Sequence, residues 1–312
     1  MVNLQYTTVC ASQRFEVLGL RGENKFLPHL LGHEGFGIVE DIGPEVSRFK
    51  IGDRVILTWI KQDGIESDKI SYIGNGDRRV NSGKVATFSE YAVVSENRLF
   101  HAPLSDPKIL PLLGCAALTG SGMALELNCS SSRALVVGAG GVGIFTVLQL
   151  LSQAIQEIHV VDTSSSRLEK IRQIAENIKL YEGFSDFEFV EEVRKNGRFQ
   201  EVYESTGSVV ALEEAFSFVS TPGTLIFASH PEEGKKIAIS PHELIQGKNI
   251  RGSWGGGCAD SKKRSIAVET FIQWKDFLPN LISRPISLFD INEVFYGKNS
   301  ATAERVLMDL SV

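Results

Sequence analysis

The chain has 312 residues, 43% hydrophobic and 22% charged, with 32 Lys and Arg against 38 Asp and Glu for a formal net charge of −6. That is an ordinary globular composition; it excludes disordered, collagenous and disulfide-scaffold classes, and a mildly acidic chain offers no basic face to nucleic acid or an anionic membrane. The length points to two domains, and four cysteines (Cys10, Cys115, Cys129 and Cys258) are too few for a disulfide framework, which indicates reduced thiols in a cytoplasmic protein.

Met1 opens no basic-then-apolar leader. No window reaches the roughly 18 apolar residues of a membrane span; the best, Gly141 to Leu151, is interrupted by Thr146 and Gln149. Asn128-Cys129-Ser130 matches a glycosylation acceptor, a match that is empty without secretion. Residues 3–9, 35–42, 53–59 and 88–94 are short β-branched or aromatic runs bounded by Gly, Asp and Asn, and they predict strands. Ile60 to Lys84 is polar and aperiodic and reads as a long excursion.

From Arg133 the pattern changes. Residues 134–137 predict a buried strand, 141–154 a helix apolar almost all round, and 157–162 a second strand. Residues 164–177 form an amphipathic pattern with Leu168, Ile171, Ile174 and Ala175 on one face, and strands recur at 201–204, 224–228 and 249–252 before a helix over 261–279. Alternating β and α predicts a doubly wound parallel sheet. The chain therefore reads as an α/β protein: a β-rich domain over 1–116, completed by 257–312, and a parallel-sheet domain over 117–256.

The second domain carries the clearest local motif. The strand ending at Val137 runs into Gly138-Ala-Gly140-Gly141-Val142-Gly143, a helix follows, and Asp162 closes the next strand. Glycines at these positions permit a tight turn, let backbone approach a pyrophosphate, and let the helix pack on the sheet with its amides facing the phosphates. Asp162 would accept from the adenosine ribose hydroxyls and repel a 2′-phosphate, which favours NAD over NADP, with Arg167 nearby as a counterweight. The plain alternative is a glycine turn without a nucleotide.

Metal ligands are harder to read. His33-Glu34 lies just before a strand, Cys10 follows the first strand, and Cys115 precedes the nucleotide-binding unit. No local spacing unites them; singly, His33 reads as a hydrogen-bonded core histidine, and Cys10 and Cys115 as small buried hydrophobes. Taken together in order, Thr8-Val-Cys10, Gly32-His-Glu-Gly-Phe-Gly-Ile-Val39, Gly52-Asp-Arg-Val, Gly114-Cys-Ala-Ala-Leu-Thr-Gly120 and the glycine turn resemble the zinc-dependent medium-chain alcohol dehydrogenases over nearly the whole chain. The resemblance implies a GroES-like catalytic domain joined to a Rossmann domain, with the site in the cleft and a homodimer formed through Rossmann sheet edges.

Carried over position by position, the resemblance implies Cys10, His33 and Cys115 as catalytic zinc ligands with the fourth position open. It implies Glu34 as a carboxylate behind the metal, Ser12 as the hydroxyl that takes the substrate proton, and Phe15 and Trp59 as pocket walls. Thr119 would pack on the nicotinamide, Arg167 would contact the adenosine ribose and Arg305 the pyrophosphate. The expected reaction is hydride exchange between NAD and a small alcohol, aldehyde or ketone.

Departures from the family also set expectations. The start looks shortened, leaving strand 3–9 as an exposed edge that needs covering. No cysteine lies between Trp59 and Phe88, so a structural-zinc lobe is expected to be absent and one catalytic zinc to be the only metal. Gln13 replaces the aspartate that usually supports the zinc histidine, and Phe15 a relay histidine. The competing readings are a zinc-independent NAD(P)H reductase of the same superfamily and a non-catalytic nucleotide-binding protein. Cys129, Cys258, His101, His159, His230 and His242 read as thiols and imidazoles without a catalytic part.

Overall fold

In the computed structural model, residues 1–127, 132–297 and 305–311 are described; the acceptor match at Asn128 and the thiol of Cys129 lie outside them. The chain begins with β1 (Val2–Thr8), in which Val2, Leu4 and Thr7 turn inward, followed by Cys10 and a short helix α1 (Ala11–Val17). Then come β2 (Glu34–Val39), β3 (Arg54–Thr58), a hairpin of β4 (Ile70–Ile73) and β5 (Arg79–Gly83), β6 (Tyr91–Ala92) and β7 (Leu99–His101). Helix α2 (Ala116–Leu125) leads to β8 (Arg133–Val137), α3 (Gly141–Ser152), β9 (Glu157–Asp162), α4 (Ser165–Arg172), β10 (Lys179–Glu182) and α5 (Phe187–Asn196). The alternation continues through β11 (Phe199–Glu204), α6 (Val209–Ser217), β12 (Val219–Phe227), α7 (Pro241–Ile245), β13 (Lys248–Gly252) and α8 (Ser261–Gln273). Two short strands, β14 (Ile286–Ser287) and β15 (Leu307–Asp309), close the chain.

These elements form two units, one of 1–116, 259–261 and 271–312, the other of 117–258 and 262–270. The first is a GroES-like unit around a sheet of order β14-β15-β1-β2-β3-β7, with β6 also on β1. Its core includes Leu4, Val55, Leu57 and Met308, all fully buried. The second is Rossmann-type: a six-stranded parallel sheet of order β10-β9-β8-β11-β12-β13, packed around Phe189, Phe199, Val202 and Leu225. Apolar runs without alternation suit a sheet buried on both faces. No helix among the described residues is long and apolar enough to cross a membrane.

Several sequence expectations need correcting. The first strand is not an exposed edge: β1 pairs with β2 on one side and with β15 and β6 on the other. Its second neighbour comes from the far end of the chain, which no local pattern reveals. The excursion at 60–84 contains the β4–β5 hairpin, turned through the left-handed Gly76 and Asp77. The strand expected at 88–94 shrinks to Tyr91–Ala92. The helix expected over 261–279 stops at Gln273, and Pro279, which has no N–H to give to the carbonyl of Lys275, lies in a separate short turn over 278–281.

Candidate metal centre and dinucleotide turn

In the first unit, three chain segments bring soft donors together. Cys10 sits where β1 gives way to α1, His33 immediately precedes β2, and Cys115 ends the turn 110–114. Gly114 makes the last placement feasible: a Cβ there would stand 2.5 Å from the Leu57 carbonyl and 2.6 Å from the Glu34 Cα, so only glycine lets this segment lie against β2 and β3. Thr58 fastens it by donating to the Gly114 carbonyl at 2.7 Å. The Cys10 Sγ, Cys115 Sγ and a His33 ring nitrogen all lie within 4.8 Å of one another.

The donor set fits a zinc ion. The two sulfurs are 4.0 Å apart and both cysteines are buried, while His33 Nε2 is buried with no hydrogen-bond partner. A buried imidazole nitrogen left unpaired is costly unless something else occupies its lone pair, and thiolate with imidazole is the ligand chemistry of Zn²⁺. The thiol hydrogen bond from Cys115 holds Cys10 well below the ordinary thiol range, with Arg305 and His33 adding to that against the opposing effect of burial. The same bond, together with burial, pushes Cys115 well up. Burial would lower His33, but the Cys10 sulfur outweighs it and raises the imidazole.

Behind the cluster, Glu34 is completely buried. Its Oε1 accepts from the Thr8 hydroxyl at 2.8 Å and from Arg305 Nη1 at 2.5 Å, and its Oε2 has no partner. Burial raises the Glu34 pKa against the opposing charge of Arg305. Arg305 is thus placed on Glu34. Gln13, buried on α1, accepts from the Gly32 amide through Oε1 at 2.5 Å and so supports the backbone next to His33. Ser12 lies half-buried beside it on α1, and Phe15 one turn on. Trp59, also half-buried, packs against the core of the first sheet, and its carbonyl accepts from Arg98 Nη1.

The second unit carries the glycine turn. Gly138 has φ +94°, a left-handed conformation that redirects the chain after β8. A Cβ on Gly143 would collide with the Gly138 carbonyl, whereas Gly140 faces open space. Gly141 and Val142 open α3, whose first amides have no intrahelical partners. Asp162 ends β9 and braces the turn: Oδ2 accepts from the Ala139 amide at 2.7 Å and Oδ1 from the Ser164 amide at 2.8 Å, with Arg167 Nη1 3.7 Å from Oδ2. Thr119, on α2, is buried and its hydroxyl has no partner. Open space at Gly140, unpaired helix amides and a carboxylate on the following strand fit a dinucleotide.

The sequence reading restricted the chain to a single catalytic zinc, with no structural zinc and no lobe for one. That restriction does not stand. Cys10, His33 and Cys115 form a cluster of two buried thiols and a half-buried histidine whose thiolate and imidazole donors also suit a structural zinc. A second cluster able to hold a metal, Glu157, His159 and Glu192, lies in the other unit. Counting cysteines between Trp59 and Phe88 tested one stretch only, whereas both clusters assemble from segments far apart in sequence. Reading His159 as one scattered histidine missed its neighbours. Burial, then the charges of Arg133 and Lys179, push its pKa down to about 4.

The chain thus holds a GroES-like unit that carries a cluster of two thiols and an imidazole, and a Rossmann-type unit that carries a glycine-rich turn. Residues 1–104 match the alcohol dehydrogenase GroES-like domain. The chain is 26% identical over 334 residues to the class-3 alcohol dehydrogenase of Myxine glutinosa, covering 97% of this chain and 89% of that protein. It is 25% identical over 344 residues to the S-(hydroxymethyl)glutathione dehydrogenase of Komagataella pastoris, covering 99% and 90%. Among solved structures, the fold resembles benzyl alcohol dehydrogenase from Acinetobacter calcoaceticus with a TM-score of 0.83 at 24% identity, over 99% of this chain and 91% of that one.

Proposed function

We propose that the chain is an NAD-linked oxidoreductase that interconverts an alcohol and an aldehyde or ketone with the help of zinc. The observation that carries this is the convergence of Cys10, His33 and Cys115 around an unpartnered, buried His33 Nε2. When bound, zinc supplies Lewis acidity towards an alcohol or carbonyl oxygen, and NAD supplies a hydride acceptor. Cys10 and Cys115 hold the cation as thiolates and His33 holds it through Nε2. Glu34, tied at one oxygen by Thr8 and Arg305, keeps the other oxygen available beside the metal site. Ser12 relays the alcohol proton, accepting it at Oγ while its own hydroxyl proton passes to water or to a ribose hydroxyl of the dinucleotide, and Trp59 and Phe15 shape an apolar pocket wall.

In the second unit, Gly138 to Gly143 receive the pyrophosphate, Thr119 offers its hydroxyl to the nicotinamide end, and Asp162 binds the adenosine ribose hydroxyls. The Asp162 charge disfavours a 2′-phosphate, while Arg167 binds at the ribose. Arg305, held by Glu34, would serve the pyrophosphate only by giving up that ion pair. We place the protein in the cytoplasm as a homodimer; β13, which pairs only with β12 among the described strands, supports edge-to-edge pairing.

Elemental analysis of freshly purified protein, combined with an NADH absorbance screen over primary alcohols, secondary alcohols and cyclitols, tests the reading. Zinc with NAD-dependent turnover is expected. Protein without zinc, or a Cys10→Ala variant with unchanged turnover, would sink it.

A further inference from the structure

The parallel sheet of the second unit has two ends. The dinucleotide turn occupies the carboxyl end of its strands. At the opposite end, Glu157 and His159 project from the same face of β9, and Glu192 reaches them from α5. The two carboxylates and the imidazole each offer a ligand atom, and these lie within 4.8 Å of one another. The His159 side chain is fully buried, and its Nε2, 3.5 Å from Glu157 Oε2, has no hydrogen-bond partner. The ring is held firmly: Nδ1 lies 3.1 Å from the Tyr181 hydroxyl, Tyr181 stacks at 5.9 Å, and Phe199 meets it edge-on at 4.9 Å. With Nδ1–H donating to Tyr181, the Nε2 lone pair points at the carboxylates, the arrangement in which one ring nitrogen orients a histidine whose other nitrogen ligates.

Two basic side chains already share this place. Arg133 donates from Nε to Glu157 Oε2 at 3.0 Å and from Nη2 to Glu192 Oε1 at 2.8 Å. Lys179 Nζ stands 3.1 Å from Glu192 Oε2 and 3.8 Å from Glu157 Oε2. The two differ in what they can give up. The guanidinium is clamped by both carboxylates and lies over the Phe199 ring at 4.7 Å. The lysine is 40% exposed on a flexible stem, and its ammonium can move into solvent and vacate Glu192 Oε2, while Glu157 Oε2, 3.5 Å from Nε2, keeps its bond from Arg133 Nε and offers a cation its remaining lone pair.

We propose that Glu157, His159 and Glu192 form a second divalent-cation site, in which a metal ion exchanges with the Lys179 ammonium. One imidazole and two carboxylates suit a borderline-to-hard ion such as Mn²⁺ or Zn²⁺ rather than a soft one. The site is remote from the dinucleotide turn along β9, and its donors owe nothing to Cys10, His33 or Cys115. It stands or falls independently of the proposed activity.

Mn²⁺ discriminates the two clusters, because thiolates are poor ligands for it. Protein freed of metal by a chelator and desalted is titrated with Mn²⁺ and the free ion is read by electron paramagnetic resonance, with folding checked by circular dichroism. One Mn²⁺ per chain is expected. His159→Gln and the more exposed Glu157→Gln should each weaken binding about 10-fold or more, Cys115→Ser should leave it unchanged, and Lys179→Met should tighten it about 5-fold by removing the competing charge. Absence of binding to the unaltered chain overturns the proposal, as does binding insensitive to both Glu157→Gln and His159→Gln. Tightening by Lys179→Met supports the exchange with lysine; unchanged or weaker binding there overturns it.

Discussion

The two units build their functional groups in opposite ways. In the first, each donor arrives from a different segment and is fixed by buried contacts across long sequence separations; Arg305 and Glu34 are 271 positions apart. In the second, six consecutive residues make the turn, and one carboxylate on the next strand braces it. A distributed site depends on the whole sheet, so damage should spread through it. A local turn depends on backbone geometry, so damage should stay with the ligand it serves.

The largest expected effect tests the distributed site. Cys10→Ala removes a thiolate from a three-donor cluster and should lower turnover roughly a thousandfold or more, since metal polarisation supplies several kcal/mol of the barrier reduction. His159→Gln, which alters the other cluster, should leave turnover within about twofold, within the range of substitutions that touch no reacting group. Steady-state kinetics with matched zinc contents reads both, and equal losses would erase the contrast between the clusters. Arg305→Met comes next. It leaves Glu34 buried without its cation, and breaking such a pair costs about 3–5 kcal/mol; urea unfolding should show that loss with the zinc content falling alongside. A loss below about 1 kcal/mol would mean that Glu34 is protonated and indifferent to its neighbour.

Gly143→Val tests the local site. Its side chain meets the Gly138 carbonyl, an overpacking that costs about 1–3 kcal/mol. NAD affinity should fall sharply while zinc content stays at the wild-type level. Joint loss of zinc and NAD binding would show that the turn is not local in its effect.

The same division explains what the sequence displays. Gly138, Gly140, Gly143 and Asp162 are legible because the proposed dinucleotide binding would require them at fixed local intervals, after a strand and at the start of a helix. Cys10, His33 and Cys115 have no such interval, and only the ordered resemblance of flanking motifs draws them together. Nothing in the sequence announces Thr8 and Arg305 on Glu34, or β15 beside β1, because those pairings are set by how the sheet closes. His159 shows the limit most plainly: alone it is one of six histidines, and its meaning comes from Glu192, brought over by α5, and from the Tyr181 and Phe199 rings that fix its orientation.

The smallest effect concerns how the first unit fastens its excursion. Glu66 precedes the β4–β5 hairpin and binds Lys84 at 2.8 Å and Arg98 Nη2 at 2.8 Å, with Lys61 at 3.5 Å. Hydrogen bonds from Lys84 and Arg98 lower its pKa from 4.5 to about 2. At face value that is ~3 kcal/mol, but the side chain is 26% exposed, and solvent screening brings the expected worth to about 1 kcal/mol. A folded-state pKa below the unfolded value gives stability that is complete above the unfolded pKa and disappears as pH falls through the folded one. Glu66→Gln should therefore cost its full amount near neutral pH, progressively less below pH 4.5, and almost nothing at about pH 2. Subtracting the variant's stability from the wild type's at each pH isolates this carboxylate from the others that titrate with it. A difference that does not vary with pH would mean that packing, and not charge, fastens the excursion to Arg98, and that the first unit's long-range ties are steric at its rim and electrostatic only at its metal centre.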